Sequence, residues 1–210
     1  MARSRVCVTR LFFRYRLHRK PHFPPGEGYH YSDTNYVLLG FIIEELTGDS
    51  LAAAIRTRIL EPLGMENTYF EYYEPPAGNG MPVDQYLNTI KVTERINTSY
   101  EWAGGGLVST VSDLARFIQA LFAGELVSPS TVATMTDISY TEPYGGDYGL
   151  GLSRYDVGDA TYYGHGGFFG SLMIFDPAKE ITLVANVAQA NAPWDPEPLV
   201  AEVLRLARGD

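Results

Sequence analysis

Residues 28–40 read GYHYSDTNYVLLG and place a tyrosine, a serine and an aspartate directly before a predicted helix. Asp33 or Thr34 can cap this helix, and Gly48 lies just past its predicted end. Its apolar positions fall on one stripe: Val37, Leu38, Phe41, Ile42 and Leu46. The pattern predicts a helix that buries this stripe and carries reactive side chains at its start.

Further helices are predicted before the pattern changes. One runs from Ser50 through about Ile59. The run GGGLVST, residues 104–110, predicts a loop of close backbone contacts, followed by a helix that ends at Gly124. A short helix is predicted in SPSTVATMTD. Residues 81–101 show no clear period.

From Tyr148 onward the pattern is typical of strands joined by short turns: YGLGLSRYDV, ATYYGHGG, FFGSLMIFD and EITLVANVA. Such short connections favour antiparallel neighbours. An amphipathic helix ends the chain and can turn four apolar side chains toward the sheet: Leu199, Val203, Leu204 and Ala207. The order predicts an α+β fold, with a helical lobe against an antiparallel sheet that carries a C-terminal helix.

This order divides the chain into a basic head at residues 1–20, a mainly helical lobe at 21–145, and a sheet with its C-terminal helix at 146–210. We expect the two lobes to form one domain with a site in the cleft between them. A length of 210 residues and an apolar fraction of 45% are sufficient for a substantial core.

Charge is unevenly distributed along the sequence. The net charge is −9, whereas residues 1–20 contain seven basic residues and no acidic one. A basic head on an acidic body can bind nucleic acid or an anionic membrane, but no nucleic-acid-binding motif accompanies it. No stretch approaches the ~20 apolar residues of a membrane span. We therefore expect neither a nucleic-acid partner nor a membrane span.

The head does not match an export signal, because its longest apolar run is Leu11–Phe13. It is rich in arginine, as organelle transit peptides are, but poor in serine. Cys7 is the single cysteine, so the chain cannot form an internal disulfide. These features leave the cellular compartment open.

Motif spacing excludes several kinds of site. The chain has four histidines, without an HExxH spacing and without a cysteine pair, so no metal site is predicted. GGGLVST lacks the lysine of a phosphate-binding loop. GLSRY lacks the second glycine of a G-x-S-x-G nucleophile turn. No cofactor is predicted.

Two segments remain as candidates for chemistry. Tyr31 precedes a helix N-terminus, where the positive end of the helix dipole stabilises a phenolate and favours a general base. His165 precedes Gly166 and Gly167 on a predicted strand, which leaves space and backbone N–H groups for a ligand or an oxyanion. The alternatives are structural: an aromatic that packs at the helix entry, and a bend beside a surface histidine.

Four stretches resemble a known family of hydrolases: PPGEGYHYSDTNYVLLGFIIEELTG, ILEPLGMENTYF, GGLVSTVSDLARF and GHGGFFGS. Their sequence and order closely resemble the penicillin-recognising serine hydrolases, which include class C β-lactamases, D-alanyl-D-alanine carboxypeptidases and related esterases. The resemblance covers about residues 21 to 190. It implies a β-lactamase/transpeptidase-like fold and the hydrolysis, through an acyl-enzyme, of a β-lactam, a D-amino-acid peptide or an ester.

The resemblance implies a catalytic role for Tyr31. The segment Tyr31-Ser32-Asp33 stands where the family has a Tyr-x-Asn element that helps to activate the nucleophile. Asp33 would be a substrate-binding residue, but it replaces an amide by an anion. This change disfavours a negatively charged or carbonyl-presenting substrate at that point.

The resemblance also implies roles for the strand segment. His165, Gly166 and Gly167 match the family's Lys/His-x-Gly element, which faces the substrate. The next residue, Phe168, would give one backbone N–H to the oxyanion. Three substrate-binding residues and one catalytic residue are therefore implied on this segment.

The family's first motif, Ser-x-x-Lys, is missing from the sequence. Its serine attacks the carbonyl and its lysine shares the proton transfers, but no serine here has a lysine three positions later. Because 30 residues precede Tyr31, the sequence resembles the C-terminal two-thirds of such a hydrolase. A sheet without its first strands would have an open edge, which favours self-association.

Two functional hypotheses follow. In the first, the chain is a serine hydrolase that acts on a small-molecule or peptide acyl substrate, with its serine and lysine supplied from outside this sequence. In the second, it is a truncated, non-catalytic homologue that acts as a binding or interaction module. Loss of the nucleophile would leave binding groups but very little acyl transfer.

Overall fold

The computed structural model describes residues 20–78, 82–93, 95–192 and 197–209. Its helices are α1 (Asp33–Thr47), α2 (Leu51–Ile55), α3 (Val111–Phe122), α4 (Pro129–Thr136) and α5 (Glu197–Arg208). Its strands are β1 (Tyr69–Phe70), β2 (Tyr86–Leu87), β3 (Ile90–Lys91), β4 (Leu107–Val108), β5 (Ser153–Val157), β6 (Ala160–Gly166), β7 (Ser171–Asp176), β8 (Ile181–Asn186) and β9 (Gln189–Ala190). Among these elements no helix is both long enough and apolar enough to cross a bilayer.

The chain forms two units. The first comprises Met1–Pro82 and Glu94–Asp113, and it holds α1, α2, β1 and β4. The second comprises Val83–Thr93 and Leu114–Asp210, and it holds the other strands, α4, α5 and most of α3.

The core of the first unit is built around Trp102 and Phe70. These rings pack with three buried residues of α1 and α2: Val37, Leu51 and Ala52. Phe41 of α1 adds a ring contact to Trp102, with centroids 4.8 Å apart. β1, which carries Phe70, pairs antiparallel with β4. Helices and a two-stranded antiparallel pair therefore share one small core.

The boundaries of α1 differ from the prediction at one end. Ser32 is the N-cap residue, and its side chain makes no capping hydrogen bond, so the predicted caps Asp33 and Thr34 are wrong. Both residues lie inside the first turn. Gly48 ends the helix as predicted, with φ of 73° and its N–H donating to the carbonyl of Glu44 at 3.0 Å.

The predicted apolar stripe of α1 is right in part. Val37 and Phe41 pack in the core, whereas Leu38, Ile42 and Leu46 are exposed, Leu46 to 80%. The helix also meets the core at Gly40, where a Cβ atom would lie 2.7 Å from that of Ala103. Because residues 37–43 are apolar on nearly every side, spacing alone could not select the packed face. The exposed apolar side chains of α1 are Leu38, Leu39, Ile42, Ile43 and Leu46.

The second predicted helix is confirmed in position. Ser50 caps α2 by accepting a hydrogen bond from the Ala53 N–H at 3.2 Å. α2 then continues as one π-helical turn over Arg56–Leu60.

The second unit is a four-stranded antiparallel sheet in the order β5-β6-β7-β8. On one face, Phe175 of β7 packs with Ile118 of α3 and Val132 of α4. On the other, Ile174 packs with Leu204 of α5. Because successive side chains of a strand point to opposite faces, helices cover both sides of the sheet. The predicted meander and closing helix are confirmed.

The predicted inner face of α5 is mostly wrong, since three of its four residues are exposed: Leu199, Val203 and Ala207. Leu204 is buried as expected, and Val200 packs one turn before it. One turn after Leu204, Arg208 forms an ion pair with the buried carboxylate of Asp176 at the end of β7. This pair fixes the rotation of the helix, because it holds the i, i+4, i+8 row against the sheet.

A small sheet lies partly in the stretch that had no clear period. β2 pairs antiparallel with β3 and parallel with β9, so that Tyr86 stands opposite Gln189. Each of these strands is two residues long, which is too short for an alternating pattern to show.

Candidate active site

Tyr31 stands at the start of α1. It precedes the N-cap residue Ser32, and its side chain is 43% exposed. The residue is therefore near the positive end of the helix dipole and remains accessible to another molecule.

Asp33, in the first turn of α1, lies against the glycine run of the same unit. A Cβ atom on Gly104 would be 3.1 Å from the Cβ of Asp33. A Cβ atom on Gly106 would be 2.8 Å from the carbonyl oxygen of Trp102. The predicted close backbone contacts of this loop are confirmed, because a larger residue would push the loop away from Asp33.

The charge of Asp33 acts on Tyr100 and Glu101. Burial raises the pKa of Glu101, a hydrogen bond with Tyr100 opposes this, and the charge of Asp33 raises it further. Burial also raises the pKa of Tyr100, followed by the effects of Glu101 and Asp33. The start of α1 is therefore acidic, and it repels a carboxylate on an approaching ligand.

An apolar pocket of about 310 Å³ opens beside α1, within the first unit. Its walls come from α1, α2, Phe70 and residues 102–107. Phe70 and Trp102 are buried, whereas Leu39 and Ile43 of the lining are exposed. This volume lies at the lower end of the range for small-ligand pockets, so an apolar side chain or ring fits it.

His165 lies on β6 in the second unit, opposite Met173 of β7. Its Nδ1 is 2.5 Å from the carbonyl oxygen of Gly166. Its Nε2 is 2.9 Å from the hydroxyl of Tyr148, and the two rings meet edge to face with centroids 5.5 Å apart. Both ring nitrogens are thus held by the protein, which fixes the orientation of the imidazole.

The residues after His165 form a tight turn between β6 and β7. The Gly167 N–H donates to the carbonyl of Ser171 at 2.8 Å, and the Gly170 N–H donates to the carbonyl of Gly167 at 2.9 Å. Phe168 is the first central residue of this turn, and its side chain is 74% exposed. Within the described residues its N–H has no hydrogen-bond partner. A backbone donor of this kind, on an exposed residue, can bind a carbonyl oxygen or an oxyanion.

The two glycines of the turn differ in what they allow. A Cβ atom on Gly167 would be 3.2 Å from that of Ser171, a contact that needs a small shift. A Cβ atom on Gly166 would meet its nearest neighbours at 3.7 Å, an ordinary contact. Packing therefore restricts Gly167 and leaves Gly166 without a structural requirement.

The predicted site residues occur as two groups. Tyr31 and Asp33 belong to the first unit. The second unit holds the other four: His165, Gly166, Gly167 and Phe168. In each unit, neighbours that the sequence did not indicate join the group.

Sequence reasoning missed Tyr148 and the pair Tyr100 and Glu101. Tyr148 precedes β5 in YGLGL, and only the β5–β6 hairpin brings that segment to His165. Tyr100 and Glu101 lie in a stretch of sequence that showed no clear hydrophobic period. Neither position carries a motif that could have revealed it.

Among the described residues, no three histidine, cysteine or carboxylate side chains approach closely enough to hold a metal ion.

A family model named Beta-lactamase matches residues 3–207. The chain therefore belongs to the β-lactamase family, and the resemblance found in the four motifs is confirmed. Its α+β architecture is the β-lactamase/transpeptidase-like fold.

Curated relatives carry hydrolase names. A protein of Escherichia coli (strain K12), named "Putative D-alanyl-D-alanine carboxypeptidase", is 29% identical over 214 residues. The match covers 81% of this chain and 47% of that protein. The chain thus spans about half the length of the curated relatives it matches.

Solved structures include an amidase and a penicillin-binding-protein homologue. The D-amino acid amidase from Ochrobactrum anthropi SV3, complexed with L-phenylalanine amide, has a TM-score of 0.79 and 25% identity, covering 93% of this chain and 62% of that one. The octameric penicillin-binding protein homologue from Pyrococcus abyssi has a TM-score of 0.67 and 28% identity, covering 90% and 44%.

Proposed function

We propose that this chain supplies the substrate-facing part of an acyl-transfer hydrolase that cleaves peptide-type amide bonds. The observation that carries the proposal is the turn after β6. It presents the N–H of Phe168 without a partner in the described residues, next to a histidine whose orientation is fixed. Membership of the β-lactamase family and the amidase and carboxypeptidase names of the relatives support the reaction type.

In the proposed reaction a serine oxygen attacks the substrate carbonyl, and the Phe168 N–H stabilises the oxyanion that forms. Tyr31, at the dipole end of α1, takes the serine proton and passes it to the leaving amine. Water then hydrolyses the acyl-enzyme by the reverse transfers. The serine and its lysine come from outside this sequence, because no Ser-x-x-Lys occurs in it.

The test of the oxyanion donor uses two variants of one residue. Phe168→Pro removes the N–H, and Phe168→Ala keeps it; proline suits the first central position of such a turn. Titration of the full chain with D-phenylalanine amide, followed by backbone NMR, gives the affinities. We expect Phe168→Pro to weaken binding about five- to tenfold more than Phe168→Ala, the value of one hydrogen bond. Equal affinities would remove Phe168 from the role.

Covalent labelling then tests where the nucleophile lies. Intact mass is measured after incubation with a fluorophosphonate and, separately, with a penicillin. We expect no adduct on a chain that binds the amide, because the nucleophile is external. An adduct on one serine would show a nucleophile inside this sequence.

A second candidate function is a binding module without turnover. It is favoured by the absence of Ser-x-x-Lys from the sequence. Tyr31→Phe distinguishes the two candidates once a segment that carries the serine is supplied. In a hydrolase the substitution lowers the turnover rate. In a binding module there is no turnover to lower, and the affinity for the ligand stays unchanged.

We also propose self-association through an edge of the sheet. Within the described residues, β5 and β8 are the edge strands of the four-stranded sheet. An edge strand presents unpaired backbone groups that can pair with a second copy. Sedimentation velocity over a range of concentrations measures this directly.

A further inference from the structure

The hydrogen-bond pattern around His165 restricts what this residue can offer to a substrate. A carbonyl oxygen only accepts, so the contact between Nδ1 and the Gly166 carbonyl requires a proton on Nδ1. In neutral His165 the other nitrogen, Nε2, then accepts from the Tyr148 hydroxyl. In charged His165, Nε2 donates to that hydroxyl. In either state both nitrogens are occupied by the protein.

Tyr148 is itself held in place. Its side chain is buried, at 8% exposure. Its carbonyl accepts from the Thr141 hydroxyl at 2.9 Å, and its backbone forms a bridge with Ser153 at the start of β5. Because the backbone of Tyr148 is held at two points and the residue is buried, its ring does not swing away at small cost, so the contact with His165 is a built feature.

We propose that Tyr148 is a positioning residue that keeps the His165 ring from donating to a substrate, and that the site therefore prefers acyl substrates ending in an uncharged amide or ester to those ending in a carboxylate. The inference rests on the proposed function and names the substrate class of that site. A carboxylate is best bound by a cation or by paired charged donors. Neither ring nitrogen of His165 can donate to a carboxylate without losing its bond to Tyr148 or Gly166.

Two further observations agree with this preference. The Phe168 N–H is an uncharged donor, which suits a carbonyl oxygen. In the first unit, the start of α1 carries the negative charge of Asp33, which acts on Glu101, so this segment repels a carboxylate. Neither segment adds a positive charge for a carboxylate.

The test uses a pair of probes that differ in one group: D-alanyl-D-alanine and D-alanyl-D-alanine amide. Backbone NMR of the full chain follows Gly166 and Gly167 and gives both dissociation constants. The net charge of −9 favours the amide in every variant. The informative quantity is therefore the change in the affinity ratio caused by Tyr148→Phe, which releases Nε2 and removes one oxygen atom.

We expect wild type to bind the amide probe more tightly than the carboxylate probe. Tyr148→Phe should strengthen binding of the carboxylate and so reduce the ratio of the two affinities about tenfold, which is the value of one charged hydrogen bond. Tyr140→Phe is the control, because Tyr140 is 81% exposed. Thr141→Val loosens Tyr148 without changing its ring, so it gives a smaller shift in the same direction and replaces Tyr148→Phe if that variant does not fold.

Nitrogen-15 shifts of the His165 ring give a readout that a structural role alone would not move. The inference requires a protonated Nδ1 in wild type and a changed Nε2 shift in Tyr148→Phe. A proton on Nε2 alone, or an affinity ratio that neither Tyr148→Phe nor Thr141→Val alters, overturns the inference and leaves the proposed function standing. Binding of neither probe overturns the proposed function itself.

Discussion

Strand β7 and helix α1 are both rich in apolar residues, yet only β7 is covered. Ile174 and Phe175 of β7 face opposite sides of the sheet, and each meets a helix. α1 has five exposed apolar side chains and packs mainly through Val37, Gly40 and Phe41. A helix that is apolar all round is normally buried on most sides. The comparison shows that apolar composition leads to burial only where neighbouring elements can reach each face.

The ion pair between Asp176 and Arg208 gives the largest expected effect on the covered sheet. Asp176→Ala removes the carboxylate that pairs with Arg208 and the acceptor for the N–H groups of Ala178 and Lys179. We expect a loss of about 3–5 kcal/mol in the free energy of unfolding, measured in urea. Glu202→Ala breaks the exposed pair with Arg205 and should cost at most about 1 kcal/mol. Similar losses would mean that the buried pair does not hold α5.

A matched pair of isoleucines tests the comparison directly. Ile174 is 1% exposed in the sheet, and Ile42 is 47% exposed on α1. We expect Ile174→Ala to destabilise by about 2–5 kcal/mol, because it opens a cavity in a packed core. Ile42→Ala should change stability by about 0.5 kcal/mol or less, as surface substitutions do. A large loss at Ile42 would show that this face of α1 is covered in solution.

Two surfaces can promote self-association: the exposed apolar face of α1 and the edge strand β8. Placing a charge on each in turn shows which of them makes the contact. Leu39→Glu places an acid on the exposed face of α1, and Thr182→Lys places a base on the edge strand β8. We expect Thr182→Lys to weaken association about tenfold, because charged residues protect sheet edges. Sedimentation velocity measures both variants. A larger effect of Leu39→Glu would assign the contact to α1 instead.

Glu101 gives a small effect that depends on pH. Folding raises the pKa of Glu101 above its ordinary value of 4.5, through burial and the nearby charge of Asp33. The folded state therefore binds this proton more tightly than the unfolded state. Its contribution to stability is present below that value and is lost as the pH rises through the raised pKa. We expect Glu101→Gln to be the more stable protein at neutral pH.

Urea unfolding at several pH values measures this effect. The difference between Glu101→Gln and wild type should shrink as the pH falls below the ordinary pKa of 4.5 and disappear at about pH 3, where wild-type Glu101 is protonated in both states. Glu66→Gln, at an exposed glutamate, controls for loss of one negative charge. A difference that persists unchanged into acid would contradict the role of the raised pKa.

Much of the fold could be predicted because the sequence carries clear local signals for helix ends, strands and turns. Gly48 ends α1, and the strands from Ser153 to Asn186 alternate with short turns, so helix ends and antiparallel order were visible. The cap of α1 and the inner face of α5 could not be predicted. The cap depends on the backbone geometry of Ser32, and the inner face depends on the ion pair between Arg208 and Asp176. Neither feature appears in the hydrophobic period of the sequence.

The candidate site shows the same division. The sequence by itself determined the positions of Tyr31 and His165 beside a helix start and a glycine pair, and through them the family. Only the tertiary structure decided that Tyr148 occupies the Nε2 of His165, because the hairpin of β5 and β6 brings together residues 17 positions apart. Motifs are local patterns, whereas hydrogen-bond partners depend on which strands pair.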